Sequence, residues 1–517
     1  MTSVNVGTAR LDLRLVPAAL TSWAVTAAGI LWHVAGSVAA LAVAIVATAV
    51  LGWWGNARQE SGIDLRALAT GVIAVSVVGT GFAVAVGLRV AEVRDHPIAD
   101  RNGTIAAVVV TPSESPRSLG GGRAMFRGSL RGLDGHEMSG RVVVFTRAGD
   151  FADVTAGRPA SFRARISRPT RRDLTVAVLS ATGEPKLGEA SPIDRVAHHI
   201  RRGFAEAARS ALPADQAATL PALVLGDTST VTPQTTAEFR ASGLTHLTAV
   251  SGANVTIVCG AVLLTAALVG PRVAIVFAAF ALVAFVIVVQ PSASVLRAAV
   301  MGAITLAAVV SHRRRQALPV LSASVIVLMI AAPELAVDVG FALSVSATAA
   351  LVVIAPVWSR RLVAHGWPKA LADAVSVAVA AQLVTAPLVA GMSGTFSVVS
   401  VAANLAVAAV IAPITVVGTA AAALCPLWPS AAQLLIRFTG PELWWLLRVA
   451  RWAAGVPGAS VSVPSGLVGV ALVAAAGVAA VVSWQWRWVR VGTAGVVVCL
   501  LAWTVSGLSG GHDTIGV

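Results

Sequence analysis

Four polar positions lie together inside a segment that is otherwise apolar enough to enter a membrane. The segment HLTAVSGANVTIVCG, residues 246–260, carries His246, Ser251, Gly252 and Asn254. Polar atoms in hydrocarbon are costly, so they normally face other protein groups or a water-filled path. Imidazole, hydroxyl and amide groups can hydrogen-bond a passing solute, and the glycine weakens the helix at that point.

Other polar residues repeat this pattern further along the chain. Arg240 precedes the segment, and Arg297 lies in the first turns of a later apolar run, after a break at Gln290-Pro291. Gln382 and Asn404 lie in two further apolar runs. Discontinuous helices at membrane depth are tolerated chiefly where their backbone lines a cavity. The joint pattern therefore favours transport over simple anchoring in the membrane.

Each of these residues also has a purely structural interpretation. Arg297 can extend its head group to the membrane interface, and His246 fits an interfacial histidine at the end of a span. Gln382 and Asn404 can each hydrogen-bond between helices, and the Ser/Thr run at 344–348 suits close helix packing. These alternatives stay open for each residue taken alone.

The usual catalytic patterns are missing from the sequence. No Gly-rich loop ends in Lys-Ser or Lys-Thr, so ATP hydrolysis by this chain is not expected. The adjacent His198 and His199 would point about 100° apart on a helix, which gives no shared ligand geometry. The sequence therefore predicts a conduit with no catalytic residues, no metal site and no cofactor.

The composition is that of a polytopic helical membrane protein. Of the 517 residues 56% are hydrophobic and only 12% are charged, whereas soluble domains carry roughly 25% charged residues. Each spanning helix needs about 20 largely apolar residues, and the apolar runs predict eleven to thirteen spans. The net charge of +14 fits an anionic partner, anionic lipid or positively charged inside loops.

The first three predicted spans set the topology. They cover 15–35, 37–54 and 67–90, and the short turn near residue 36 carries no charge. Arginines flank the other ends of these runs at positions 10, 14, 58 and 66. Because positive residues collect on the cytoplasmic side, the N-terminus is predicted to be cytoplasmic and residue 91 to emerge outside.

Residues 91–192 are polar and Arg-rich, with short β-type runs separated by Gly-rich turns. The five runs cover 103–111, 124–130, 140–146, 158–166 and 173–180. Short strands at this spacing predict a small extracytoplasmic all-β domain, with an OB-like barrel as the leading expectation.

Two amphipathic segments and a second group of spans complete the chain. Residues 193–212 have the apolar spacing of a surface helix, and 426–465 contain a Trp- and Arg-bearing stretch typical of an interfacial helix. The remaining predicted spans cover 244–268, 272–290, 294–311, 317–333, 336–357, 370–391, 396–425, 466–484 and 490–508.

The polar segment and its surroundings resemble the ComEC family of competence DNA-uptake channels. LVLGDTSTVTPQTTAEFRASGLTHLTAVSGANVTIVCG, residues 223–260, is similar to the hallmark segment of that family. The matching positions are Gly226-Asp227, Phe239-Arg240, Gly243-Leu244, His246-Leu247, Ala249 and Ser251-Gly252. Stretches at 291–302 and 340–351 and the Ala-Gln to Ala-Asn-Leu run also agree in order, so that the resemblance covers about 220–415.

Two departures limit what the resemblance implies. The family has a second histidine where this chain has Asn254, and asparagine hydrogen-bonds but does not titrate. Many members also end in a metallo-β-lactamase-like domain with a His-rich cluster, whereas this sequence ends in GGHDTIGV. Nuclease activity is therefore not expected.

The resemblance implies a passive cell-membrane channel that imports single-stranded DNA during natural transformation. The implied DNA path is Arg240, His246, Ser251, Gly252, Asn254, Arg297, Gln382 and Asn404, and the implied approach is Arg123, Arg127, Arg163, Arg165, Arg171 and Arg172. Expected partners are a helix-hairpin-helix DNA receptor, a cytoplasmic ATPase or single-strand-binding protein, and further copies of the chain. A transporter for another anionic substrate and a scaffold of an envelope complex are the alternatives.

This interpretation divides the chain into six parts. They are an N-terminal three-helix membrane segment (1–90), the OB-like domain (91–192), an amphipathic connector (193–235), the transmembrane channel domain (236–425), the interfacial segment (426–465) and the C-terminal transmembrane helices with the tail (466–517).

Overall fold

The computed structural model describes residues 12–57, 65–248, 250–289, 293–310 and 316–483. Several sequence-based expectations fall outside these residues. They are the charges at Arg10 and Arg58, the Gln290-Pro291 break, most of the basic loop at 311–316, and the span at 490–508.

Six described helices are long and apolar enough to cross a membrane, which confirms a polytopic helical membrane protein. They are Val16–Val50, which contains the reversal at Trp32 and His33 described below, Ala69–Arg101, Pro271–Val289, Val339–Ala364, Lys369–Ser393 and Ser400–Leu424. Four shorter apolar helices accompany them: Gly252–Ala266, Ser294–Ala308, Ala317–Ala331 and Leu467–Ser483. The total of eleven to thirteen spans stays a prediction.

The N-terminal helices are α1 (Val16–Ala57) and α2 (Leu65–Arg94). Helix α1 is interrupted at Trp32 and His33, where His33 has a φ of 60°. The Ser37 hydroxyl donates to the Val25 carbonyl at 3.4 Å, which brings the two halves of α1 side by side. The turn expected near residue 36 therefore lies at 32–33, and the apolar runs on its two sides pack together.

The polar region folds into a small β-barrel. Its strands are β1 (Ile105–Pro112), β2 (Arg117–Gly120), β3 (Arg123–Leu133), β4 (His136–Arg147), β5 (Ala160–Ser167) and β6 (Ala177–Leu187). All five predicted strands are present, and β2 is an additional short strand. Buried and outward residues alternate along β1, β3 and β5, because the pleat directs successive side chains to opposite faces.

Five of the strands close the barrel in the order β1-β5-β6-β4-β3, and β3 returns to β1. All pairs are antiparallel except β4 with β6, which is parallel. The interior is filled by residues of the barrel region alone, among them Phe126, Phe151 and Phe162. The region is a five-stranded β-barrel with its own hydrophobic core, which confirms the predicted small all-β domain.

Two polar contacts attach the barrel to the helices. Arg141 of β4 forms an ion pair with Glu334 in the turn Pro333–Val337, and Arg172 donates to the Leu31 carbonyl at 2.5 Å. The barrel, the 32–33 turn and the 333–337 turn therefore lie on the same side of the helical region.

Three helices follow the barrel: α3 (Pro192–Ala211), α4 (Ala214–Leu225) and α5 (Pro233–Ala241). The amphipathic helix predicted at 193–212 is α3, which starts at a Ser191 cap. Helix α4 is buried along most of its length and contributes Leu220, Leu223 and Val224 to the largest core cluster. It is thus part of the packed interior, although the sequence placed it in a connector.

The C-terminal helical region contains the remaining elements. They are α6 (Gly252–Ala266), α7 (Pro271–Val289), α8 (Ala293–Val310), α9 (Ala317–Ala331), α10 (Val339–Val353), α11 (Ala355–Ala364), α12 (Lys369–Ser393), β7 (Thr395–Ser397), α13 (Ser400–Leu424), α14 (Pro429–Phe438), α15 (Gly440–Ala454), β8 (Ser460–Ser462) and α16 (Leu467–Ser483).

Two boundaries differ from expectation in this region. The span predicted to start at residue 244 begins as a helix only at Gly252, so Ser251-Gly252 is the start of α6 and not a break inside it. The interfacial helix predicted within 426–465 is two helices, α14 and α15, and they are followed by β8, which pairs with β7. Helix α15 buries Leu443 and Leu446 and exposes Trp444, so its predicted amphipathic character is present.

Candidate functional site

Arg297 lies at the meeting point of three helices. Its side chain on α8 is only 5% exposed. Its Nε donates to the Ser344 hydroxyl of α10 at 2.8 Å, and its Nη1 contacts the Met301 sulfur at 2.9 Å. The Ser294 and Ser344 hydroxyls are 3.1 Å apart, which fixes Ser344 beneath the guanidinium. We refer to Ser294, Arg297, Met301 and Ser344 as the Arg297 cluster.

The third helix at this point is α6. A Cβ added to Gly252 would lie 2.7 Å from Arg297 Nη2, so a glycine at the first residue of α6 is what admits the guanidinium. The N-cap residue Ser251 makes no side-chain capping bond to the helix. Helix N-termini carry partial positive charge and bind anions. A cation is thus held against a positive helix end, and no carboxylate of the described chain pairs with it.

Asn254 has a structural role in the same helix. Its side chain is 6% exposed, and its Nδ2 donates to the Leu223 carbonyl at 2.9 Å. The Ser251 hydroxyl donates to Asn254 Oδ1 at 3.3 Å. Leu223 is in the last turn of α4, where backbone carbonyls lack helical partners. Asn254 therefore joins the start of α6 to the end of α4.

Gln382 and Asn404 meet in a second group, which we call the Ser400 cluster. The Ser400 hydroxyl donates to Gln382 Oε1 at 3.0 Å, and Asn404 Nδ2 donates to the Ser400 carbonyl at 2.8 Å. Gly243 packs directly on Ser400 with a φ of 74°, a conformation that favours glycine. The cluster joins α12 and α13 to the loop after α5.

The other two predicted path residues are exposed. His246 lies in the 3₁₀ turn Thr245–Leu247, three residues after Gly243, which packs on Ser400. Arg240 is on the outer side of α5 and makes no ion pair with a described residue. Seven of the eight predicted path residues thus lie at or beside two places, the start of α6 near Arg297 and the surroundings of Ser400, and Arg240 lies apart.

The predicted DNA-approach arginines are divided over three places on the barrel. Arg123 and Arg127 are on the outer face of β3, and Arg163 and Arg165 are on the outer face of β5. Arg171 and Arg172 lie in the connection to β6, where Arg172 is engaged with α1. These groups lie on different sides of a closed barrel.

The β3–β4 face also carries an exposed aromatic ring. Phe145 is 40% exposed and lies opposite Met125, whereas the other three barrel phenylalanines are in the core. Arg123 lies directly opposite Arg147 on this face, and like charges opposite each other destabilise a sheet unless an anion is near.

One interior arginine was missed by the sequence reasoning. Arg201 of α3 donates through Nη1 to the carbonyls of Leu225, Val288 and Val289 at 3.4, 3.1 and 3.2 Å. Burial lowers the pKa of Arg201, and Asp227 opposes that shift. The sequence shows Arg201 only as one of several basic residues on an amphipathic helix, and nothing there marks it.

The comparisons with known proteins identify the region that contains both clusters. A family model described as Competence protein matches residues 223–488, which is about half of the chain and includes all eight predicted path residues. No curated protein and no solved structure matches the chain.

Proposed function

The chain belongs to the Competence protein family, and we propose on that basis that it is a cell-membrane channel for single-stranded DNA import during natural transformation. The family suggests a role in DNA uptake, and the spanning helices make the chain a multi-pass membrane protein. The proposed channel is a passive conduit, powered by a separate partner.

The observation that carries the proposal is the placement of Arg297. A charge buried in a membrane domain is expensive and normally has a partner or a function. Arg297 is buried, its protein partners among the described residues are uncharged, and it adjoins the positive end of α6. An anion would complement this charge, and a phosphodiester is the anion that DNA uptake would bring there.

The other polar groups support movement and not tight binding. The Ser400 cluster offers uncharged hydrogen-bonding groups where α12 and α13 meet the loop after α5, and His246 lies in that loop. Neutral contacts of this kind contribute only about 1 kcal/mol each. Weak repeated contacts let a polymer slide, whereas a row of buried cations would hold it.

The barrel would act as the approach on the outer side. It shares its side of the helices with the 32–33 and 333–337 turns, and the basic residues that flank the first spans favour a cytoplasmic N-terminus. The shared side of the barrel and the 32–33 turn, together with a cytoplasmic N-terminus, favours an extracytoplasmic barrel. Its exposed arginines and Phe145 would attract and stack a single strand.

Import into liposomes tests the proposal. Purified full-length chain is reconstituted, a single-strand-binding protein is enclosed to retain entering strands, and nuclease-protected labelled DNA is measured. We expect Arg297→Met to reduce import at least about tenfold, since a charged hydrogen bond contributes roughly 1.5–3 kcal/mol. Arg272→Gln, which removes an exposed arginine at the start of α7, serves as the matched control and should import as wild type does.

Three outcomes separate the alternatives. Equal import by the Arg297→Met variant and wild type would remove Arg297 from the DNA path. Uptake of inorganic phosphate or nucleotides without DNA would identify a transporter of small anions. No uptake of any of these, even with a cytoplasmic ATPase partner added, would favour a membrane scaffold.

A further inference from the structure

A cleft of about 570 Å³ lies between the barrel and the first half of α3. Its barrel side is formed by the loop around Arg158 and by the segment after β6, and its other side presents Arg195, His198, His199 and Arg202. A volume of this size holds a drug-sized ligand or a nucleotide. None of these residues belongs to either polar cluster in the helical region.

The cleft has an excess of positive charge. Arg158, Arg195 and Arg202 all line it, and none of them forms an ion pair within the described residues. Asp194, one of the two acidic residues there, is already engaged: its carboxylate accepts from the Ser191 hydroxyl at 2.6 Å and rests on Gly157. The other acid, Glu189, is exposed.

Two of the arginines are held in place by neighbours. Arg158 Nε donates to the Gly188 carbonyl at 2.8 Å, which leaves its two terminal nitrogens free for another acceptor. Arg202 Nη2 lies 3.0 Å from His198 Nε2. Side chains that are already ordered lose less entropy when a ligand binds.

His198 reports the electrostatic character of the site. Burial lowers its pKa, and Arg202, Arg201 and Arg158 lower it further, while Asp227 acts in the opposite direction. The neutral ring accepts a hydrogen bond from Arg202. Three arginines therefore face two carboxylates in this cleft, and an anionic ligand would complement the excess positive charge.

We propose that this cleft binds the phosphodiester backbone of single-stranded DNA as the strand passes from the barrel to the membrane helices. Arginine forks match phosphate oxygens in pairs, and here they come from both sides of the cleft. The position of the cleft also fits this route. Arg201, which directly precedes the cleft residue Arg202 on α3, hydrogen-bonds the ends of α4 and α7 and so attaches this helix to the helical region. The inference rests on the proposed function, since the DNA is what that function supplies.

The test is DNA binding by the full chain in phosphatidylcholine nanodiscs, followed by the anisotropy of a fluorescein-labelled thymidine oligonucleotide at several salt concentrations. Arg195→Gln with Arg202→Gln should weaken binding at least tenfold. It should also reduce the slope of log K against log salt by about 1.4, the value for two phosphate contacts on a single strand. The control, Arg209→Gln with Arg448→Gln, removes two exposed arginines outside the cleft and should leave affinity unchanged.

A crosslink tests the position directly. The photoreactive residue p-benzoylphenylalanine in place of His199 should form an adduct with the oligonucleotide, and the same residue in place of Ser210, exposed near the far end of α3, should not. Adducts with lipid in place of DNA at position 199 would assign the cleft to phospholipid head groups and overturn the inference.

The outcomes distinguish this inference from the proposed function. If wild type binds no oligonucleotide, the proposed function itself fails. If wild type and the control bind, and the cleft variant binds equally well with an unchanged salt slope, the cleft does not bind DNA. The proposed function then stands without this cleft.

Discussion

Arg201 and Arg297 are both packed into the helical region, but they lie next to helix ends of opposite partial charge. Arg201 reaches carbonyl oxygens at the C-terminal ends of α4 and α7, where helix dipoles are negative. Arg297 adjoins the N-terminal end of α6, where the dipole is positive, and touches no backbone carbonyl of the described chain. The first placement stabilises the fold, and the second costs stability.

The contrast separates structural from functional charge. Unpaired carbonyls at a helix end need donors, so the fold alone explains Arg201. No such requirement explains Arg297, because replacing a buried charge by an apolar side chain of similar size is often neutral or stabilising. A residue retained against its own electrostatic cost is a candidate for contact with a ligand.

Replacing Arg201 should have the largest effect on stability. Arg201→Ala removes the donor to three carbonyls at two helix ends and should lower the free energy of unfolding by about 2–3 kcal/mol. Thermal denaturation of the purified chain in detergent measures the change. Arg209→Ala, on the exposed side of the same helix, should stay within about 0.5 kcal/mol. Equal stability of the two variants would contradict the structural role of Arg201.

Asn254 sharpens the comparison, because it also serves the C-terminal end of α4. Asn254→Asp places a carboxylate oxygen against the Leu223 carbonyl and should cost about 2 kcal/mol in the same denaturation assay. Asn254→His keeps a ring N–H donor and should cost less. An Asp variant as stable as wild type would show that the 2.9 Å contact does not hold α6 to α4.

Local patterns explain what the sequence predicted correctly. The barrel strands can be predicted because the alternation of apolar and polar residues lies within each strand, as in β1, β3 and β5. Helix α3 follows from the apolar spacing of residues 193–212, and the structure adds a Ser191 cap at its start. The polar character around Arg297 is visible in the sequence as well, because a single arginine in an apolar run stands out.

Contacts between residues far apart in the chain explain what the sequence did not predict. Arg201 contacts carbonyls 24, 87 and 88 residues away, and no local pattern encodes those distances. The reversal at Trp32 and His33 carries no glycine or proline at those two positions, so apolar spacing alone does not locate it. The need for glycine at position 252 comes from the Arg297 guanidinium packed against it, which belongs to another helix.

Replacing Gly252 tests whether DNA import depends on the position of the Arg297 guanidinium or only on its presence. Gly252→Ala would place a methyl group 2.7 Å from Nη2 and force the guanidinium away from α6. Import of single-stranded DNA into liposomes should fall about tenfold, equivalent to about 1.4 kcal/mol. Gly260→Ala on the same helix meets no atom within 4 Å and is the matched control. Equal import by both variants would mean that Arg297 acts without the helix end.

The smallest expected effect on stability most directly tests the contrast between Arg201 and Arg297. Arg297→Met keeps a long apolar side chain beside Met301 and removes a cation from the positive end of α6. The free energy of unfolding should therefore stay unchanged or rise by about 1 kcal/mol in the denaturation assay, even though import should fall at least about tenfold. Arg201→Met, measured alongside, should lose about 2 kcal/mol because its carbonyls remain unpaired. A loss of that size for Arg297→Met would make both arginines structural, and the reason to place DNA at Arg297 would disappear.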